Sequence, residues 1–299
     1  MLFLKNLFKK KNTDIHQRMA IPVLCYHGSQ IWGTTYSQND HIALEEDLRY
    51  LLDAQYRLIS PLALAVALRQ KNEALLTGKL VCITFDDGTD FDYFDQEHKD
   101  AGFVKSFHTI LSQSALQSHV VGKNLPNAAS SVGFVIASEN ARQTIDQACL
   151  LGKNQLGDDW WRECAQQGII GIGNHSWDHT HETLDTVCQA DNIKGSFYAI
   201  NTYADADRQI RAAQDYIDTA TGGCATSLFA YPYGHVSDYL VNEYFPKYEK
   251  EHRQLAAFST GGEPVTRNSN LWALPRYVCG QHWRSPEEFR KIFLDLKVS

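Results

Sequence analysis

Five side chains in this sequence could do chemistry together. Asp86 and Asp87 are adjacent carboxylates at the end of the apolar run "KLVCITF" (79–85), and Gly88 follows them. His175 and His179 stand four residues apart in "NHSWDHTH" (174–181), and His27 closes another apolar run, "IPVLCYH" (21–27). Two neighbouring carboxylates at the end of a buried strand repel each other and resist desolvation. Either that strand ends in solvent or a cation belongs there. On a helical turn the i, i+4 spacing puts two imidazoles on one face and offers two nitrogens to one ion. A carboxylate from Asp86 or Asp87 would complete a donor set with open positions. Such a set suits Zn²⁺, Fe²⁺, Co²⁺ or Ni²⁺ better than Mg²⁺ or Ca²⁺. An ion of this kind lowers the pKa of a bound water towards ~7 and makes hydroxide available. Each piece alone has a plainer reading: a D-D-G turn, an incidental H-x-x-x-H, a hydrogen-bonded histidine at a strand end. Their joint placement at strand ends is what points to a site.

The elements that must position these groups alternate. Strand patterns at 21–27, 57–60, 79–85, 131–138, 169–175, 227–234, 254–260 and 273–278 are separated by helical ones. Residues 43–55 carry apolar positions at helical spacing. The run from Ser60 starts with a cap and Pro61, 160–168 ends at Gly168, 205–223 ends in two glycines, and 285–296 starts at Ser285. Strand alternating with helix means parallel β-α units, and seven or eight of them predict an α/β fold, a distorted (β/α)7-8 barrel. In such barrels the functional groups sit at the C-terminal ends of strands. The long polar stretch 104–130 is expected to hold a helix and an excursion over the barrel mouth. No linker interrupts the chain, so 19–299 reads as one domain behind a basic tail, 1–18.

The 299 residues are 43% hydrophobic and 21% charged, as in ordinary globular proteins. A net charge of -7 gives no reason to expect a nucleic-acid partner. No apolar run reaches the ~18–20 residues that span a bilayer. The N-terminus has apolar residues first and Lys9, Lys10 and Lys11 after them, the reverse of a secretory signal. It reads as a frayed, solvated tail, with a weak peripheral contact to an anionic membrane face as the sharper alternative. Seven widely spaced cysteines, none in a C-x-x-C, argue against a disulfide framework. Together these features place the protein in the cytoplasm, with a peripheral position on the inner membrane face as an extension.

"TFDDG" (84–88), "HSWDH" (175–179) and "FAYPYG" (229–234), in that order, resemble the motifs of the polysaccharide deacetylases, carbohydrate esterase family four. The resemblance spans about residues 21 to 296. It implies a distorted (β/α) barrel and metal-dependent removal of an acetyl (acyl) group from the nitrogen of an N-acylated sugar, in surface polysaccharide biosynthesis. Residue by residue, it implies that Asp87, His175 and His179 hold one divalent metal, Zn²⁺ first with Co²⁺, Ni²⁺ or Fe²⁺ as alternatives. Asp86 would be the general base, and a backbone N–H near Tyr233 would hold the developing oxyanion. Many members carry an arginine two places before the proline of the last motif, where this chain has Ala230. A branch similar to the poly-N-acetylglucosamine deacetylases shares that alanine form and takes its acid from an early Y-H strand. "LCYHGS" (24–29) looks like that element, which makes His27 the expected acid ahead of His282 in "CGQHW" (279–283). Arg276, in "LPRY", is the candidate to replace the missing arginine. Trp177, Tyr231 and Tyr233 are expected as stacking faces for sugar, with core packing as the plainer reading, and Trp177, Tyr231, Arg276 and His282 together as the substrate side. Asp90, Asp92 and Asp95 read as a solvated acidic loop. The expected partner is an N-acetylated sugar or oligosaccharide, whether polymeric, lipid-linked or nucleotide-linked being left open. The alternatives are a non-catalytic carbohydrate-binding protein on the same fold, the same C–N hydrolysis on a non-sugar amide, and a glycosyltransferase using "DFD" (90–92) on a metal-nucleotide.

Overall fold

The computed structural model describes residues 19–296, so the basic tail 1–18 lies outside the described residues. Apolar runs form the staves of one curled parallel sheet. They are β1 (Val23–His27), β3 (Leu80–Asp86), β6 (Ser131–Val135), β7 (Ile170–Asn174), β8 (Leu228–Ala230), β9 (Ala256–Phe258) and β10 (Tyr277–Val278). Their order is β10-β1-β3-β6-β7-β8-β9, and the short β2 (Arg57–Leu58) pairs with the start of β3. β3, β6 and β7 are buried along their whole length, as strands covered on both faces must be. The sheet edges meet through the segment before β10. Leu274 bridges to Phe258 of β9, and three residues later Tyr277 pairs with Leu24 of β1. This seam makes the sheet a distorted barrel of a single α/β domain.

Helices pack outside: α1 (Asp40–Asp53), α2 (Pro61–Gln70), α3 (Phe107–Gln113), α4 (Glu139–Cys149), α5 (Trp161–Gln167), the continuous run of α6 (Tyr203–Ala206), a π-turn and α7 (Ala213–Thr221), the short α8 (Phe245–Lys247) and α9 (Glu249–His252), and α10 (Pro286–Asp295). The stops follow local chemistry. Gly168 and Gly222 end α5 and α7 in the left-handed region, at φ 67° and 69°. The Ser285 hydroxyl caps α10 by accepting from the Glu288 N–H. Ser60 precedes Pro61 as expected but makes no side-chain cap, because its hydroxyl has no partner.

Two expectations are corrected here. The excursion after α3 does not cover the mouth. Val121 pairs beside Ile59 and Gly122 packs on Ala63 of α2, at the end of the sheet where β3 begins. The segment 87–106 leaves β3 at the mouth, where Asp87 and Thr89 line the cavity, and carries a small antiparallel hairpin, β4 (Gln96–His98) and β5 (Gly102–Val104). That segment is not a solvated acidic loop either. Asp92 is fully buried against Thr89, Asp90 accepts from the Gly157 N–H and the Trp160 indole, and Asp95 holds the Ser106 N–H and hydroxyl.

Candidate active site

The mouth of the barrel is built from strand ends. β1 and β3 pair in register so that His27 lies opposite Asp86. Asp87 follows with a φ of 77°, a left-handed conformation rare for a residue with a side chain. Across β6, His175 leaves β7, and its backbone N–H bonds to Val135.

His175 and His179 converge without a helix. Ser176, His179 and Thr180 all have positive φ, and the loop is pinned by its own side chains. The Asn174 carboxamide oxygen accepts from the Ser176 N–H, the Ser176 hydroxyl from the His179 N–H, and the Asp178 carboxylate from the Thr180 N–H. The helical turn expected from the spacing is therefore replaced by an irregular turn that reaches the same convergence. Three strained residues in one loop are over-determined by these bonds.

Ligand atoms of Asp87, His175 and His179 all lie within 4.8 Å of one another. Nε2 of His175 and Nε2 of His179 stand 3.7 and 3.8 Å from Asp87 Oδ1. These gaps are too long for hydrogen bonds and suit donors that share one ion at ~2.0–2.2 Å. The tautomer fits as well. His175 Nδ1 lies 2.9 Å from the Ala230 carbonyl, which accepts its proton and leaves Nε2 as the free lone pair. Burial, with the imidazoles of His175 and His181 beside it, pushes His179 well below the usual histidine range, so it stays neutral. Its Nδ1 is buried without a partner. The residues present thus fit a divalent transition metal.

Asp86 is held differently. Arg276, fully buried, grips it with two 2.7 Å bonds, Nη1 to Oδ1 and Nη2 to Oδ2. The guanidinium is itself fixed by the Ser259 carbonyl, the Thr84 hydroxyl and the ring of Phe134. Burial would raise the Asp86 pKa, but the charge and hydrogen bonds of Arg276 overcome it and hold the carboxyl well below the usual range. Two carboxylates side by side in sequence therefore differ in their main partner: Asp86 is gripped by an arginine, with His175 Nε2 4.0 Å from its Oδ2, and Asp87 stands nearer to both imidazoles.

His27 brings a ring nitrogen within 4.8 Å of an Asp86 oxygen and lines the cavity, while its backbone N–H is anchored on the buried Asp40. Tyr233 stands at φ 58° in a single turn whose bonds run from Gly234 to Tyr231 and from His235 to Pro232. The early N–H groups of such a turn have no acceptor within it. Its ring packs 4.4 Å from His179.

Three residues expected on the substrate side are elsewhere. Trp177 packs against Tyr216 with Arg208 over its face. Tyr231 is fully buried and donates to the Trp272 carbonyl, inside a stack with Phe229 and Phe245. His282 accepts the Val278 N–H and lies over Gly262. None of the three lines the cavity, and Arg276 reaches it only through Asp86. The cavity, about 340 Å³, adds residues that the sequence reading passed over. His181 is one, two places past His179, and that spacing was a readable signal. Ile145, Cys149, Leu150 and Leu156 are others, on and after α4.

Comparison with known proteins agrees with this geometry. A family model described as polysaccharide deacetylase matches residues 75–245, a span that holds Asp86, Asp87, His175, His179 and Tyr233 and stops short of His27 and Arg276. No curated protein matches the chain. Among solved structures, the fold is similar to the Streptococcus pyogenes deacetylase PplD in complex with acetate, at 18% identity over 92% of this chain and 98% of that one, with a TM-score of 0.59. It is similar to IcaB from Ammonifex degensii, at 17% identity over 93% and 97%, with a TM-score of 0.56. It is also similar to a de-N-acetylase from Aggregatibacter actinomycetemcomitans, at 14% identity over 91% and 99%, with a TM-score of 0.56. At such identities the likeness is one of fold. The family match covers more than half of the 299 residues, and the chain belongs to the polysaccharide deacetylase family.

Proposed function

We propose that this protein is a metal-dependent hydrolase that removes an acetyl (acyl) group from the nitrogen of an N-acylated sugar in a surface polysaccharide or its precursor. The observation that carries the proposal is the split of one carboxylate pair. Asp87 converges with His175 and His179, while Asp86 beside it is kept ionised by Arg276. Asp87, His175 and His179 would hold the ion, Zn²⁺ first by the chemistry of the donor set. When bound, it supplies Lewis-acid polarisation of the amide carbonyl and a more acidic water.

The chain's own groups do the rest. Asp86 uses the lone pairs that Arg276 leaves free to take a proton from the attacking water. The Tyr233 N–H faces the oxygen as charge develops there. His27, on the opposite flank of Asp86 from the histidine pair, delivers a proton to the nitrogen as the C–N bond breaks, without which the amine is a poor leaving group. Free thiols at every described cysteine support a reducing, cytoplasmic setting and a precursor as substrate.

The test is release of free amine from N-acetylglucosamine oligosaccharides by wild type, Asp86→Asn and His27→Ala. Each variant is expected to lose about 10²–10⁴-fold in kcat with its metal retained. Full activity in His27→Ala would remove that residue from the acid role. No amine released by wild type with metal bound would favour the binding-protein reading.

A further inference from the structure

A second set of donors stands beside the first. Residues two apart on a strand share a face, so Cys25 and His27 project to the same side of β1. In register, Cys25 lies opposite Thr84 and His27 opposite Asp86 on β3. The Cys25 sulfur, a His27 ring nitrogen and an Asp86 oxygen all lie within 4.8 Å of one another. Donors held at ~2.0–2.3 Å from one ion stand no more than ~4.6 Å apart. Small movements therefore bring the three onto a single ion. The frame around them is fixed. The Cys25 carbonyl accepts from the Cys279 N–H, the Thr84 hydroxyl donates to the Leu24 carbonyl, and Arg276 bonds both Thr84 and Asp86. Cys25 is buried, and the way in is the cavity that His27 and Asp86 line.

The donors select the ion. Sulfur and imidazole favour Zn²⁺ and its transition-metal neighbours, whereas Mg²⁺ and Ca²⁺ prefer oxygen. Burial pushes the Cys25 thiol well above its usual range, so the sulfur carries a proton until an ion displaces it. Arg276 opposes a cation here. It takes one lone pair of each Asp86 oxygen and leaves the others free. Once the thiol proton has gone to solvent, the Asp86 and Cys25 anions face the arginine and a divalent ion together, and one positive charge is left in excess. An ion on Asp87, His175 and His179 adds to it. The second set therefore fills after the first, about tenfold or more weakly.

We propose that Cys25, His27 and Asp86 form a second, inhibitory transition-metal site. An ion there takes up the lone pairs of the two residues read above as acid and base. The inhibition thus rests on the hydrolase reading, while the binding does not.

The test adds Co²⁺ to the full-length protein already loaded with one equivalent of zinc and follows absorbance. A cobalt–thiolate bond gives an intense charge-transfer band, and the set that holds the zinc contains no sulfur. Wild type is expected to gain the band and Cys25→Ala to lack it. Over the same range, release of free amine from an N-acetylglucosamine oligosaccharide should fall at least tenfold in wild type and less than twofold in Cys25→Ala. No band in wild type at several equivalents of cobalt overturns the site, whether or not the variant folds. An undiminished band in Cys25→Ala assigns the sulfur to another cysteine and overturns it as well. A band without loss of cleavage overturns the inhibitory role. A band that Cys25→Ala abolishes, in a protein that cleaves nothing at any cobalt level, leaves the site standing and removes the hydrolase reading.

Discussion

At the scale of single residues, the site depends on where Asp86 gets its counter-charge. A buried carboxylate needs a partner, and the usual place for one, two before Pro232, is occupied by Ala230. Arg276 supplies it from 190 residues away in the chain. The sequence showed that the position was vacant and offered Arg276 as a candidate. It could not show a bidentate grip, because that depends on the barrel seam bringing distant strands together. Arg276→Lys keeps the charge and loses the planar fork. We expect kcat to fall by about 10²-fold or more, with metal content unchanged. An unaltered kcat would show that charge alone suffices. Trp177 and Tyr231 were misread for a physical reason. An aromatic ring near a motif looks the same in sequence whether it faces a cavity or a core, and here both rings are spent on packing.

At the scale of elements, the site is held by turns under strain. Asp87, Ser176, His179, Thr180 and Tyr233 all have positive φ, and three of them, Asp87, His179 and Tyr233, stand at the proposed metal or oxyanion positions. The residue types were legible, but these conformations were not, since nothing in "HSWDH" distinguishes a helical turn from the irregular one observed. The β1 end is equally tight. A Cβ at Gly28 would come within 2.2 Å of Asp92 Oδ1 and 2.3 Å of the Thr89 hydroxyl, both on the mouth segment. Gly28→Ala must therefore push the mouth segment or His27 aside. The expected cost is ~1–3 kcal/mol of stability, with a drop in kcat at 20 °C or so, well below unfolding. An equally stable and active Gly28→Ala would mean that the mouth yields freely. Ile145, Leu150 and Leu156, on and after α4, escaped the sequence reading because apolar residues there look like any amphipathic stretch buried against a sheet.

At the scale of the whole molecule, the barrel closes through the segment that carries Arg276. Leu274 pairs with β9, Tyr277 with β1, and Arg276 lies between them with its side chain inward on Asp86. The last strand and the support of the proposed base therefore rest on one short segment. The parallel α/β order was legible because strand and helix patterns alternate along the chain. The seam was not, because it rests on a bridge and two paired residues. Stability should also carry a pH signature. Asp47 is buried under the hydroxyls of Tyr26 and Tyr36, and burial raises its pKa from the ordinary 3.8 to about 7. The folded chain keeps that proton where the unfolded chain releases it, so stability falls as pH rises from about 4 to 7. Asp47→Asn should flatten this slope in denaturant melts, and a slope that survives would assign it to other groups.

The most direct test of the account is the metal content of the purified protein, wild type beside His175→Ala and Asp86→Asn, by elemental analysis after reconstitution with zinc. The account predicts about one ion per chain in wild type and in Asp86→Asn, and its loss in His175→Ala. Absence of bound metal in wild type, or equal metal in all three, would contradict it.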